Sequence, residues 1–162
     1  MRLKPNTLIV VAGPTASGKT ALAIQIAKAV DGEIVSADSM QIYRGVDIAT
    51  AKPTPEELAA VPHHLIGFLP MDRAFSVADY AELARKEIND ILSRGKVPVL
   101  CGGTGLYIKA IVDNVQYSEA ITGDEALRER LRQLAEREGN DALWRRLEAM
   151  GPETAKRIHP NN

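Results

Sequence analysis

Short apolar runs alternate with amphipathic stretches along the first 115 residues. "TLIVVA" (7–12), "GEIVSAD" (32–38), "VPHHLIGFL" (61–69) and "VPVLCGG" (97–103) have the length and β-branched content of buried strands. Between the first two, "TALAIQIAKAV" (20–30) carries apolar residues at helical spacing, which predicts a helix burying Leu22, Ile26 and Ala29 or Val30. "SVADYAELARKEINDILSRG" (76–95) predicts a longer amphipathic helix. Ser76 caps it, Asp79 holds the capping-box position and Gly95 stops it. "TGLYIKAIVDNV" (104–115) is a further helix. Strands alternating with helices imply an α/β fold, a parallel sheet covered by helices on both faces.

The pattern changes after "YSEAITGD". Residues 124–149 are helical in spacing, rich in Glu and Arg, and hold the single tryptophan, Trp144. Leu127, Leu131 and Leu134 form one stripe, and Leu143 and Leu147 another. Pairs such as Glu125–Arg128 and Glu129–Arg132 stand at i,i+3 spacing on a solvated face. The expected organisation is a core domain over 1–118 and a small helical insert over 119–162. A parallel sheet buries both faces, and four strands ending on "RIHPNN" lack a closing element. The sequence is therefore expected to be a piece of a longer protein.

Composition narrows the class. The chain has 162 residues, 45% hydrophobic and 25% charged, with a formal net charge of -1. That reads as a soluble globular domain with no global positive field to attract nucleic acid, although a local basic patch is compatible with it. Cys101 is the single cysteine, so no intramolecular disulfide can form and a reducing compartment is expected. No apolar run approaches the roughly 18 residues of a membrane span. The early positive charges of "MRLKPNTLIVVAG" precede an apolar run too short for a signal peptide. The expectation is a cytoplasmic protein.

The candidate chemistry starts at "GPTASGKT" (13–20), which fits G-x-x-x-x-G-K-[ST] between a strand and a helix. Gly13 and Gly18 let the backbone curl through Pro14, Thr15, Ala16 and Ser17 so that N–H groups point inward. The following helix adds its positive end. Lys19 supplies a point charge to an outer phosphate, and the Thr20 hydroxyl can ligate Mg²⁺. A diphosphate or triphosphate is the expected ligand. Nucleotide hydrolysis would call for an acid at a neighbouring strand end, yet "VPVLCGG" ends in glycines. Asp38 is the one carboxylate closing an apolar strand. It is either a turn cap with Ser39 or a base or metal partner facing the phosphates. The turn "CGGTGLY" (101–107) reads as a tight strand-to-helix connection with Thr104 as N-cap, as a close approach to ligand, or as both. His63 and His64 on one strand would point to opposite faces and so would not share an ion. Cys101 reads as a small buried hydrophobe.

Three segments together carry a resemblance: "GPTASGKT", "VSADSMQIYRGVDIATAKPT" (35–54) and "VLCGGTGLYIKAI" (99–111). They closely resemble the bacterial tRNA dimethylallyltransferases. "PHHLIG" (62–67), "FSVADY" (75–80) and "RIHPN" (157–161) fit the same family. The resemblance implies transfer of a dimethylallyl group from dimethylallyl diphosphate to the N6 amine of the adenosine 3′ of the anticodon, with release of diphosphate. It implies that Gly13 to Thr20 hold the donor diphosphate, that Lys19, Thr20 and Asp38 act in catalysis with Mg²⁺ on Thr20, and that the protein works as a monomer. Asp38, Ser39, Met40, Gln41, Thr104 and Arg128 would contact the tRNA anticodon loop. Members of the family run to roughly 300 residues, a size that fits one core plus an insert. Rival readings are a small-metabolite or nucleoside kinase, a transferase acting on free adenine nucleotides, and a non-catalytic diphosphate binder.

Overall fold

The computed structural model describes residues 4–115 and 124–161. Contacts divide the chain into two units, Met1–Tyr117 and Ser118–Asn162. The expected boundary at 118 falls outside the described residues.

In the first unit the strands are β1 (Ile9–Ala12), β2 (Gly32–Ser36), β3 (His63–His64) and β4 (Val97–Gly102). They form one parallel sheet in the order β1-β4-β2-β3. Side chains alternate between faces along each strand. Val11, Ile34, Val99 and Cys101 therefore pack to one side, with Ala23, Ile24 and Ala27 of α1 (Lys19–Val30). Val35 and Leu100 pack to the other, with Tyr80, Ala84, Ile88 and Ile91 of α3 (Val77–Ser93) and Tyr107 of α4 (Gly105–Val112). The sheet is thus covered on both faces, as expected.

Several elements differ from the expectation. Of the expected α1 face (Leu22, Ile26 and Ala29 or Val30) Ile26 packs against the core, but the fully buried stripe is Ala23, Ile24 and Ala27, and Leu22 is half-exposed. Two alanines on that stripe let the helix lie close to the sheet, which turns Leu22 outward. The expected third strand shrinks to two residues, followed by a single bridge from Tyr43 to Leu69. A short helix, α2 (Pro55–Ala60), was not foreseen. Thr54 and Glu57 cap it reciprocally, with Pro55 at its first position. The capping box on α3 forms as expected: the Ser76 hydroxyl accepts from Asp79 N at 3.2 Å, and Asp79 Oδ2 accepts from Ser76 N at 2.8 Å.

The second unit holds α5 (Glu125–Glu138), α6 (Asn140–Met150) and α7 (Pro152–Ala155). Gly139, at φ +84, splits what the sequence reads as one helical region. Trp144 Nε1 donates to Ile158 O at 2.7 Å and pins the chain after α7 to α6. Arg132 and Glu129 pair at 2.9 Å, as their spacing predicts. The side chain of Glu125 lies outside the described part, so the Glu125–Arg128 pair does too.

Candidate phosphate and acceptor site

The C-terminal ends of β1, β2 and β4 converge on one edge of the sheet, where ligands of open α/β sheets collect. Residues 13–18 leave β1 and curl into the start of α1. Gly18 sits at φ +79, a left-handed position that glycine tolerates, and Ala16 holds φ +63. Thr15 to Ala21 line a cavity of about 250 Å³ together with Asp38, Gln41, Thr50, Ala51 and Glu57. Lys19 Nζ donates to Pro14 O at 3.1 Å, so the ammonium lies over its own loop. Gly13 N donates to Gly102 O at 3.4 Å and ties the loop to the end of β4.

Asp38 follows β2. Its Oδ1 accepts from Met40 N at 2.9 Å and Gln41 N at 3.3 Å, an Asx turn. Its Oδ2 makes no hydrogen bond among the described residues. Turn capping thus engages one oxygen of this carboxylate and leaves the other without a hydrogen bond among the described residues. The Thr104 hydroxyl accepts from Ser39 N at 2.9 Å and donates to Ser39 Oγ at 3.3 Å. The expected N-cap bond from Thr104 into α4 is not made, because the hydroxyl is drawn to Ser39 instead. Gly102 is fixed by packing: a Cβ there would collide with Ala37 O. Met40 is half-exposed. Gln41 turns inward, its Nε2 donating to Thr50 O and Ala51 O at 3.2 and 3.1 Å, while its Oε1 accepts from Ser36 Oγ at 3.5 Å.

The structure therefore brings together Gly13 to Thr20, Asp38, Ser39, Gln41 and Thr104 through β1, β2 and β4. Arg128 belongs to the second unit, on α5, where its backbone N–H donates to Asp124 O at 2.8 Å. Thr50, Ala51 and Glu57 line the cavity without having been foreseen. The capping signal "TPEE" (54–57) was available for Glu57, whereas nothing local marks the other two.

Other candidates have structural partners. His64 joins Glu33 through Nε2 at 2.8 Å and Glu87 through Nδ1 at 3.0 Å. His63 Nδ1 meets Val61 O at 2.8 Å, its Nε2 is buried without a partner, and burial pushes its pKa down. Cys101 is buried, which pushes its thiol pKa up. Among the described residues no group of three or more His, Cys, Asp or Glu could hold a metal, and no helix is long and apolar enough to cross a membrane.

The IPP transferase family profile matches residues 41–162. A tRNA dimethylallyltransferase of Exiguobacterium is 53% identical over 99% of this chain and 51% of its own length. That of Bacillus subtilis is 50% identical over 96% of this chain and 49% of its own. The tRNA isopentenylpyrophosphate transferase structure of Bacillus halodurans is 44% identical, with TM-score 0.68 over 97% of this chain and 52% of its own. A eukaryotic dimethylallyltransferase solved acting on tRNA is 28% identical, with TM-score 0.80 over 96% of this chain and 38% of its own. The chain thus spans about half the length of the curated relatives it matches. With the family profile covering most of the chain and the fold shared with these structures, this protein belongs to the IPP transferase family.

Proposed function

We propose that this site transfers a dimethylallyl group from dimethylallyl diphosphate to the N6 amine of the adenosine 3′ of a tRNA anticodon. The observation that carries the reading is a single cavity lined by both the phosphate loop and Asp38, a carboxylate with one uncommitted oxygen. The strand end beside it, Gly102–Gly103, offers no acid for γ-phosphate hydrolysis. The names of the relatives point the same way.

In this reading the allylic C–O bond breaks and its electron pair leaves with the diphosphate. Loop N–H groups and the Lys19 ammonium, freed from Pro14 O, receive that charge. The adenine N6 lone pair forms the new bond to carbon, and Asp38 Oδ2 accepts the proton N6 then loses. A base in a single-stranded loop reaches the cavity at less cost than one in a duplex. Thr20 Oγ and Asp38 are hard oxygen donors around one cavity, a set that fits Mg²⁺ held mainly by phosphate and water. Mg²⁺ held there would neutralise diphosphate charge. Ser39, Met40, Thr104 and Arg128 are assigned to the RNA. The site is built within one chain, which supports a monomeric working unit, and the unpaired Cys101 supports a cytoplasmic one.

Incubation with dimethylallyl diphosphate and tRNA, followed by mass analysis of the nucleosides, tests the reading. Prenylated adenosine is expected, and Asp38→Asn is expected to lower single-turnover rate by roughly 10²- to 10⁴-fold while donor affinity survives. Steady ADP release from ATP and a small hydroxyl compound, with no prenylated nucleoside, would refute it.

A further inference from the structure

We propose that Lys52 is a positioning residue for this site: its buried ammonium fixes the 43–52 loop, and through that loop the aim of Gln41 and Asp38. The inference rests on the reading of the site given above.

The Lys52 side chain is 7% exposed. Its Nζ donates to Tyr43 O at 2.5 Å and Asp47 Oδ1 at 2.6 Å, and its backbone N donates to Asp47 O at 3.1 Å. Gly67 holds φ +58 beside it, where a Cβ would stand 3.3 Å from Nζ. A buried ammonium persists only where partners replace its water. Here the partners are a backbone carbonyl and a carboxylate nine and five residues back. The lysine therefore closes the loop on itself.

The closed loop has a defined interior. The Thr50 hydroxyl donates to Val46 O at 2.7 Å, and Ala51 N donates to Ile48 O at 3.2 Å. That aims the Thr50 and Ala51 carbonyls at one point, and Gln41 Nε2 sits there. Two carbonyl acceptors require the amide nitrogen on that side, so the orientation of Gln41 is set. Gln41 N shares Asp38 Oδ1 with Met40 N, and Asp38, Gln41, Thr50 and Ala51 line one cavity. Lys52 itself lines a different cavity, of about 560 Å³, which shares Ala51 with the first. Its influence on the acceptor thus passes through the backbone, while the phosphate loop stays outside the chain of contacts.

The test compares the wild-type chain with Lys52→Met, which keeps length and removes the ammonium, and Asp47→Asn, which removes only the counter-charge. The readouts are inorganic diphosphate affinity by calorimetry, hydrogen exchange of the Thr50, Ala51 and Lys52 amides, and prenyl transfer to an anticodon stem-loop RNA. Lys52→Met is expected to leave diphosphate affinity and donor KM within about twofold. Exchange of the three amides is expected to rise at least about tenfold, with β4 amides unchanged, and kcat to fall by about 10- to 100-fold, the effect of a small misplacement of reacting groups. Asp47→Asn is expected to shift the same quantities less. If Lys52→Met fails to fold, Asp47→Asn alone must show the split. Unchanged exchange at the three amides, or diphosphate affinity falling in step with kcat, overturns the proposal. A wild-type chain that binds diphosphate yet makes no prenylated nucleoside refutes the activity, and the exchange measurement still decides the role of Lys52.

Discussion

Glu33 is a carboxylate buried in β2, 4% exposed at its side chain, and the structure predicts what its removal does. Arg94 Nη1 and Nη2 grip its two oxygens at 2.5 and 2.8 Å, His64 Nε2 adds a contact at 2.8 Å, and Lys96 stands 3.5 Å away. The Arg94 hydrogen bonds outweigh the opposing effect of burial, and with His64 they hold the Glu33 pKa down from 4.5 to about 2. Linkage makes that depression a stabilisation of about 3 kcal/mol at neutral pH. Because the folded pKa lies below the unfolded one, this support is complete above pH 4.5 and is lost as pH falls through about 2. Glu33→Gln is therefore expected to destabilise by about 3 kcal/mol at pH 7, in the range for breaking a buried ion pair. By pH 3 the gap between wild type and variant should narrow to roughly half of that. Urea unfolding followed by circular dichroism at pH 7, 5 and 3 measures both. A deficit below about 1 kcal/mol at pH 7, the worth of an exposed pair, would refute the assignment. So would a deficit that stays constant down to pH 3.

Two further outcomes follow from particular contacts. Lys19→Ala should weaken inorganic diphosphate binding by about 10- to 100-fold, the worth of a charge-assisted bond. Its melting temperature should hold, since among the described residues Nζ donates only to the exposed Pro14 carbonyl; equal affinity by calorimetry would sink the role. Gly102→Ala drives a Cβ into Ala37 O, so it should cost about 3 kcal/mol or more through forced backbone shifts. An unchanged urea midpoint would refute the close approach of Gly102 to Ala37.

What the sequence revealed divides by range. β1, β2, β4, the α3 capping box and the glycine loop of residues 13–18 are written in consecutive residues and formed where their local chemistry placed them, whereas the third strand kept only His63–His64 of the nine residues expected. Helix α2 was legible in "TPEE" but is shorter than the window in which periodicity speaks. The division between α5 and α6 was legible only as Gly139, a lone glycine in an otherwise continuous helical pattern. The buried face of α1 is legible only in part, through Ile26, because Ala23 and Ala27 complete it by how near the sheet lies, a tertiary property. Thr104 was assigned to its own helix by position, yet its hydroxyl went to Ser39, 65 residues away. Thr50 and Ala51 entered the site through backbone carbonyls, which no residue type announces. The Glu33–Arg94 grip likewise joins residues 61 apart, and neither carries a motif.

The parallel sheet sets a charge that supports folding and the carboxylate proposed to act on substrate at opposite ends of β2. Glu33 lies near its start and Asp38 just past its finish, five residues or up to roughly 16 Å along an extended chain. That exceeds the screening length of about 8–10 Å near physiological salt. Acid sensitivity of the fold and acid sensitivity of the reaction are thereby separable. With Glu33 ionised at every pH above 4.5, rate profiles taken between pH 5 and 9 contain no titration of Glu33 itself. Ionic strength sorts the two ends as well: salt reaches the open phosphate loop while the grip on Glu33, walled in by Arg94 and His64, stays shielded.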